Sequence, residues 1–358
     1  MIRLVPRTET PALLQVATPI MAVLATMVTG GLLFWIMGYD PVAAIRTIFW
    51  DPLFGQTAAY SRPQLLVKAA PLILIASGLA VGFRAGIWNI GAEGQYIIGA
   101  IRGAAVALAA YPAQGMWIFP AMILCGALGG WAWGMIPALL RNWFGASEIL
   151  VSLMLVYVAQ RIAAWMAFGP MRNPEGMGFP GSRNLQQYPP AANPELVAGT
   201  GAHWGVVAAA VAVLATWFLM SRHIRGFHIR AAGTAPRAAR FAGVRPETLV
   251  AFCLGLSGAL AGMAGLFEVA GPAGQITDKV GVGYGFTAII VAFLGRLHPV
   301  GILLAGLLLA LTYIGGELAQ LMLNLPAATV QVFQGMLLFF LLGFDLLTRF
   351  RITRRVAA

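Results

Sequence analysis

Long apolar runs separated by short polar stretches organise this chain. Ten of them predict helices, at 13–38, 64–83, 86–110, 116–139, 146–168, 203–220, 248–268, 284–296, 299–322 and 328–348. About 20 apolar residues in a helix cross a hydrocarbon core of roughly 30 Å. The ten-residue alternating segments of a membrane barrel are absent from the pattern. The expectation is an all-α, polytopic membrane protein of about ten transmembrane helices forming one domain over residues 1–358. Two runs are irregular. The eighth is short enough to be a half-helix or a tilted segment. The third is interrupted by the stretch GIWNIGAEGQYIIGA, Gly86 to Ala100, so one span is expected to be broken. Irregular backbone survives at membrane depth only where protein or a wet cavity surrounds it.

Arginine placement sharpens this pattern into a topology. With the N-terminus inside, ten spans return the C-terminus to the same side. The inner segments then hold fifteen arginines, six of them being Arg222, Arg225, Arg230, Arg237, Arg240 and Arg245, against five Lys or Arg outside. That asymmetry obeys the positive-inside rule. Composition agrees: the chain is 59% hydrophobic and 10% charged with a mean hydropathy of +0.81, where soluble domains carry roughly 25% charged residues. The net charge of +11 therefore reads as topology, and no nucleic-acid partner is expected; the lipid bilayer is. The first apolar run is longer than the 7–15 residues of a signal-peptide core and reads as a span.

Three connections are long. Residues 39–63 predict a short amphipathic helix at the outer interface, anchored by Trp50 and Tyr60. Residues 169–202 form an outer loop rich in Pro, Gly and Asn. Residues 221–247 form the one sizeable cytoplasmic loop. Within it, Thr234 is placed to cap a short helix, Pro236 suits its first turn, and Gly243 is placed to end it. Ala238, Phe241 and Ala242 share one face at i, i+3, i+4 spacing, and Arg237 and Arg240 share another. Two readings follow: a basic loop that fixes topology or touches anionic lipid, and a docking knob for a soluble partner.

Polar residues inside the oily segments form the other candidate site, because burying them unpaired is costly. Asn89, Glu93 and Gln95 are suited to hold a broken helix by hydrogen bonds, or to line a pathway or inner gate. Gly86, Gly91 and Gly94 permit the break or tight packing. Arg102, Arg161, Glu268 and Glu317 fall toward the outer half, where they would line a cavity for a neutral, hydroxyl-rich cargo or pair between helices. Asp345 and Arg349 are spaced to pair at the inner boundary. Gly258 with Gly262, and Ala261 with Gly265, have the small-xxx-small spacing of close helix packing. His203, His223, His228 and His298 do not cluster with carboxylates at metal-ligand spacing, and no nucleophile sits beside a base. No catalytic residue, metal or cofactor is expected on this chain. Cys125 and Cys253 lie in apolar runs and read as packing residues.

Several of these segments carry a family resemblance. GFHIRAAGTAPRAARFAGV, Gly226 to Val244, resembles the coupling-helix region of ABC importer permeases of the ribose, nucleoside and branched-chain amino-acid group. FRAGIWNIGAEGQ, Phe83 to Gln95, resembles the signature of the nucleoside and simple-sugar branch. ASEILVSLMLVYVA, Ala146 to Ala159, is similar to the segment after the fourth span, with Ser147 where that family usually has Asn. The stretch from Gly283 to Leu303 resembles the eighth-to-ninth span region. The resemblance implies a permease subunit in a bacterial cytoplasmic membrane, with Thr234, Pro236, Arg237, Ala238, Arg240, Phe241, Ala242 and Gly243 coupling it to a separate ATPase of possibly fused modules. That ATPase would bind ATP and Mg, since this chain has no phosphate-binding Walker pattern. It also implies a second, different permease subunit and an extracytoplasmic substrate-binding protein delivering nucleosides. Ribose-type or branched-chain amino-acid cargo, and an ion-coupled secondary transporter using Glu93 and Glu317, are the competing expectations.

Overall fold

The computed structural model describes residues 2–6 and 12–354, with side chains described at 17–329 and 331–344. Its helices are α1 (Ala12–Ile36), α2 (Pro41–Phe49), α3 (Asp51–Phe54), α4 (Ala58–Arg84), α5 (Ala92–Ala110), α6 (Ile118–Phe144) and α7 (Glu148–Phe168), followed by α8 (Trp204–Arg222), α9 (Ile224–Thr234), α10 (Pro236–Phe241), α11 (Pro246–Ala270), α12 (Tyr284–Leu294), α13 (Pro299–Leu323) and α14 (Ala327–Arg349). A short antiparallel ribbon pairs Ile2–Pro6 with Phe350–Arg354, Pro6 opposite Phe350. Each of the ten predicted spans coincides with a helix, usually within a few residues. Among the described residues, eight helices are long and apolar enough to cross a membrane. The other two are α5, which carries Glu93, Gln95 and Arg102, and α12, which has 11 residues.

The break expected within the third span lies ahead of it instead. Residues 85–91 connect α4 to α5, and α5 then runs unbroken from Ala92. Here the glycines end one helix and admit the next: Gly86 adopts φ 74°, and Gly91 lies so close to α7 that a Cβ would come within 2.6 Å of the Ser152 carbonyl oxygen.

The chain divides into two compact units, residues 63–310 and residues 1–62 with 311–358. In the terminal unit, Asp40 caps α2 by accepting from the Val42 amide at 2.9 Å. The inward face of α2, Ala44 and Ile48, packs with Phe34, Ala319, Leu325 and Phe333. Trp50 is exposed and meets Phe54 in a tilted pair with ring centroids 4.6 Å apart. The side chains of Asp345 and Arg349 lie outside the described residues.

In the central unit, α5, α6 and α11 pack along lines of small residues. A Cβ on Gly130 would stand 2.1 Å from the Gly258 carbonyl oxygen, and one on Gly99 would stand 2.1 Å from the Gly262 Cα. Gly258 and Gly262 therefore serve packing inside this chain. Without a hydrophobic force between helices in lipid, such close approach supplies the attraction through dispersion. The outward faces are apolar: Leu124, Leu128 and Trp131 of α6, and Leu214 and Phe218 of α8, are all exposed.

The loop 169–202 is built against the C-terminal end of α11. Asn193 donates to the Phe267 carbonyl at 3.2 Å and accepts from the Trp204 amide at 3.3 Å. Ser182 and Leu185 bond residues 274–276 through backbone amides. His203 caps α8, its Nδ1 accepting from the Gly205 amide at 3.0 Å, while its Nε2 finds no partner among the described residues. Burial pushes the imidazole pKa down to about 4.

Two outcomes follow. Gly130→Val should lower the unfolding midpoint, at a cost of about 3 kcal/mol for forcing side-chain atoms between touching backbones. Gly335→Ala, where a Cβ meets nothing within 4 Å, should leave it unchanged or raised. Equal midpoints for the two variants in a thermal scan of purified protein would refute the packing account. His203 has a folded pKa below its unfolded value of roughly 6.5, so the unfolded chain binds more protons between them. Its contribution is complete above about pH 6.5 and is lost as pH falls toward 4, on the order of 3 kcal/mol in all. His203→Asn, which keeps a capping acceptor, should flatten the midpoint over that range.

Candidate functional site

The loop between α8 and α11 folds into a rigid bracket. His223 starts α9 by accepting from the Arg225 amide at 3.1 Å. Arg230 donates back to the Met220 carbonyl oxygen. Gly233 lies against the end of α4, where a Cβ would meet the Arg84 carbonyl oxygen at 2.0 Å. Thr234 does not cap the next helix, contrary to expectation. It is the last residue of α9, and its hydroxyl donates to the Arg230 carbonyl at 2.9 Å. The helix had already begun ten residues upstream, so the hydroxyl satisfies a terminal carbonyl rather than a first-turn amide. Ala235 takes the N-cap position of α10, with Pro236 first in the helix. Gly243, at φ 86°, ends it in the left-handed conformation that side chains disfavour.

The two faces of α10 have opposite fates. Ala239 and, beyond the helix, Val244 are buried with Ile229, Val81, Ala138 and Leu249. Arg237, Ala238, Arg240 and Ala242 are exposed, and Phe241 is 95% exposed. A large aromatic ring displayed in this way on a helix whose other side is fixed is an unpartnered anchor. Beside it, Arg141, Arg237 and Arg240 border an open cleft of about 230 Å³ against Ala85 and Ile87.

The second group lies where α5, α11 and α12 meet. Glu93, 1% exposed, accepts from the Gly283 amide at 2.7 Å through Oε1 and from the Gly285 amide at 2.6 Å through Oε2. Those are amides at the start of α12, which have no partner within the helix itself. The carboxylate also complements the positive end of the helix dipole. Asn89 donates to Gln95 Oε1 at 2.8 Å and to Ser257 Oγ at 2.9 Å. It accepts from Gln95 Nε2 at 3.2 Å and from the Gly91 amide at 3.1 Å. Asn89, Glu93 and Gln95 thus form a buried brace holding the connection 85–91 and the beginning of α12.

The remaining expected pathway residues do not join this brace. Arg161 and Arg102 are exposed on α7 and α5, and Glu317 is exposed on α13 in the terminal unit. Glu268 is buried near the C-terminal end of α11. Sequence reasoning missed Lys68 and Tyr284, joined at 3.3 Å between Nζ and the phenol oxygen, and buried Tyr96, whose ring meets Tyr284 edge-on at 6.0 Å. Nothing in their spacing signals the meeting, since Tyr284 comes from α12, 216 positions after Lys68.

Residues 62–342 match the family described as the permease component of branched-chain amino acid transport systems. The chain belongs to this family. Its relatives place it among ABC transporter permeases of the nucleoside and simple-sugar branch. It is 36% identical to a glucose ABC transporter permease of Haloferax volcanii over 98% of this chain and 93% of the relative. It is 27% identical to a guanosine ABC transporter permease of Bacillus subtilis, over 90% and 91% of the two. A nucleoside ABC transporter permease of Lactococcus lactis is 26% identical over 91% of this chain and 90% of its own length. No solved structure matches. The permease is accordingly a multi-pass transport protein, and its relatives are translocation subunits rather than enzymes.

Glu93→Ala in the permease leaves two helix-start amides without their acceptor. The expected loss is on the order of 2–4 kcal/mol, read as a lower unfolding midpoint together with faster hydrogen exchange at Gly283 and Gly285. Unchanged exchange at those two amides would rule out the brace.

Proposed function

We propose that the permease is the translocation subunit of an ATP-driven importer for neutral, hydroxyl-rich solutes, nucleosides first. The observation that supports it most is Phe241, fully displayed on a stub whose reverse side is buried. In this reading α10 lies on the cytoplasmic side and enters a cleft of a separate ATPase, which binds ATP and Mg. Phe241, Ala238 and Ala242 fill that cleft, and Arg237 and Arg240 meet its acidic rim. An aromatic anchor flanked by arginines has the composition of an interface hot spot.

The mechanical consequence follows from the contacts under the stub. Ala239 and Val244 press on Val81, Ala85 and Val250, and Gly233 touches Arg84. Displacement of α10 by a closing motor therefore carries the inner ends of α4 and α11 with it. Those helices flank the buried brace at Asn89 and Glu93, so their movement reorients the start of α12 and switches access to the cavity. The partner permease and the extracytoplasmic binding protein complete the assembly in the cytoplasmic membrane, and the ten-span, N-inside arrangement belongs to the same proposal.

For cargo, the guanosine and nucleoside relatives favour a nucleoside. A simple sugar is the second reading, favoured by the higher identity to the glucose permease. Competition of labelled guanosine uptake by unlabelled glucose separates them. Phe241→Asp should reduce ATP-dependent uptake by at least tenfold while the protein remains inserted and folded. Uptake at the wild-type rate in that variant would remove the docking role. Uptake abolished by collapse of the proton gradient with ATP maintained would instead indicate an ion-coupled carrier.

A further inference from the structure

Next to the Arg237 cleft, with which it shares Val244 and Leu249, a second and larger recess of about 570 Å³ opens between α6, α9 and α11. Its upper rim is basic, formed by Arg225, His228 and Arg245. Its wall is apolar, formed by Trp131, Met135, Ala251 and Phe252. The Arg225 guanidinium lies over the Phe252 ring, 4.9 Å from its centroid, which fixes a cation at the junction of the two surfaces. Neither Arg225 nor Arg245 makes an ion pair among the described residues. The nearest acid in sequence, Glu247, does not line the recess, and its backbone carbonyl is held by Asn142 Nδ2 at 3.0 Å.

The recess is continuous with the apolar outer surface of the bundle. Trp131 is 45% exposed, and Leu124 and Leu128 precede it on α6 at seven and three residues, exposed by 60% and 51%. At 3.6 residues per turn these three share a face, so an apolar track descends α6 and ends at the arginines. A mobile anion in water would have no use for the track, and an acidic peptide would find an oily wall where it needs donors. An amphiphile with a negative head and a hydrocarbon tail matches both halves.

We propose that this recess is a binding site for one anionic phospholipid, its phosphate between Arg225 and Arg245 and an acyl chain along Trp131, Leu128 and Leu124. The proposal needs only that the protein spans a bilayer, and it stands whether or not α10 docks an ATPase. Basic recesses between membrane helices at the interface are suited to such headgroups, each basic side chain contributing roughly 1 kcal/mol.

The test is native mass spectrometry of the full-length permease in detergent, titrated with phosphatidylglycerol, phosphatidylcholine or inorganic phosphate. One phosphatidylglycerol is expected to bind at least tenfold more tightly than phosphatidylcholine, and excess inorganic phosphate should not displace it. The double variant Arg225→Gln with Arg245→Gln should weaken that binding on the order of 30-fold. Arg237→Gln with Arg240→Gln, which removes equal charge from the stub, should not. Equal weakening in both double variants would mean an unspecific basic surface and overturn the site. Displacement by inorganic phosphate would overturn the lipid assignment in favour of a free anion. A polypeptide retained in place of the lipid would overturn it in favour of a protein contact.

Discussion

A backbone amide packed away from water has no solvent to turn to, and the short helix α12 begins with several that its own turns cannot satisfy. Its opening residues follow the irregular segment 271–283, and no side chain of its own caps it. The carboxylate of Glu93 supplies the missing acceptors, one oxygen to Gly283 and one to Gly285. Much else follows from that pair of bonds. For α12 to approach, Gly285 must rest against the backbone of α5, where a Cβ would come within 2.2 Å of the Glu93 nitrogen. For Glu93 to be presented, α5 must begin where it does, which the Asn89–Gln95–Ser257 bonds secure. A charged group in an oily segment is thus explained by what it spares: two orphaned amides whose burial would cost several kcal/mol.

The helix bundle around this brace obeys a different rule. In lipid the apolar surface is not driven inward, so the chain gathers its helices through glycine-to-glycine approach and leaves large aliphatic and aromatic residues facing out. This accounts for the division between bare contacts at Gly99, Gly130, Gly258 and Gly262 and the exposed Leu124, Leu128 and Phe218. The same rule makes the bracket at α9 and α10 distinctive. It is held by burial of Ile229, Ala239 and Val244, yet carries Phe241 on the outside.

Helices were legible because hydrophobic runs report them directly: all ten predicted segments meet a helix, and eight of the described helices are long and apolar enough to cross a membrane. The small-residue spacing in α11 was legible too, because three- and four-residue steps place Gly258 and Gly262 on one face. Glu93 was visible as an anomaly, whereas its partners lie 190 and 192 positions away, beyond any local pattern. The start of the interrupted span was misplaced because glycines inside an apolar run look alike whether they break a helix or precede it. Thr234 was misread for a related reason. A threonine before a proline suits a helix start, but an eleven-residue helix reaching it from upstream uses the same hydroxyl at its end. Arg161 and Glu317 were placed by depth alone, which says nothing about which way a side chain faces; both are exposed on this chain.

The contact between Gly233 and the last carbonyl of α4 carries a consequence of its own. A Cβ on Gly233 would stand 2.0 Å from that oxygen, so backbone meets backbone there with no side chain between. A single added methyl group would act as a wedge, prising the bracket off the helix end without touching Phe241 or the arginines of the stub.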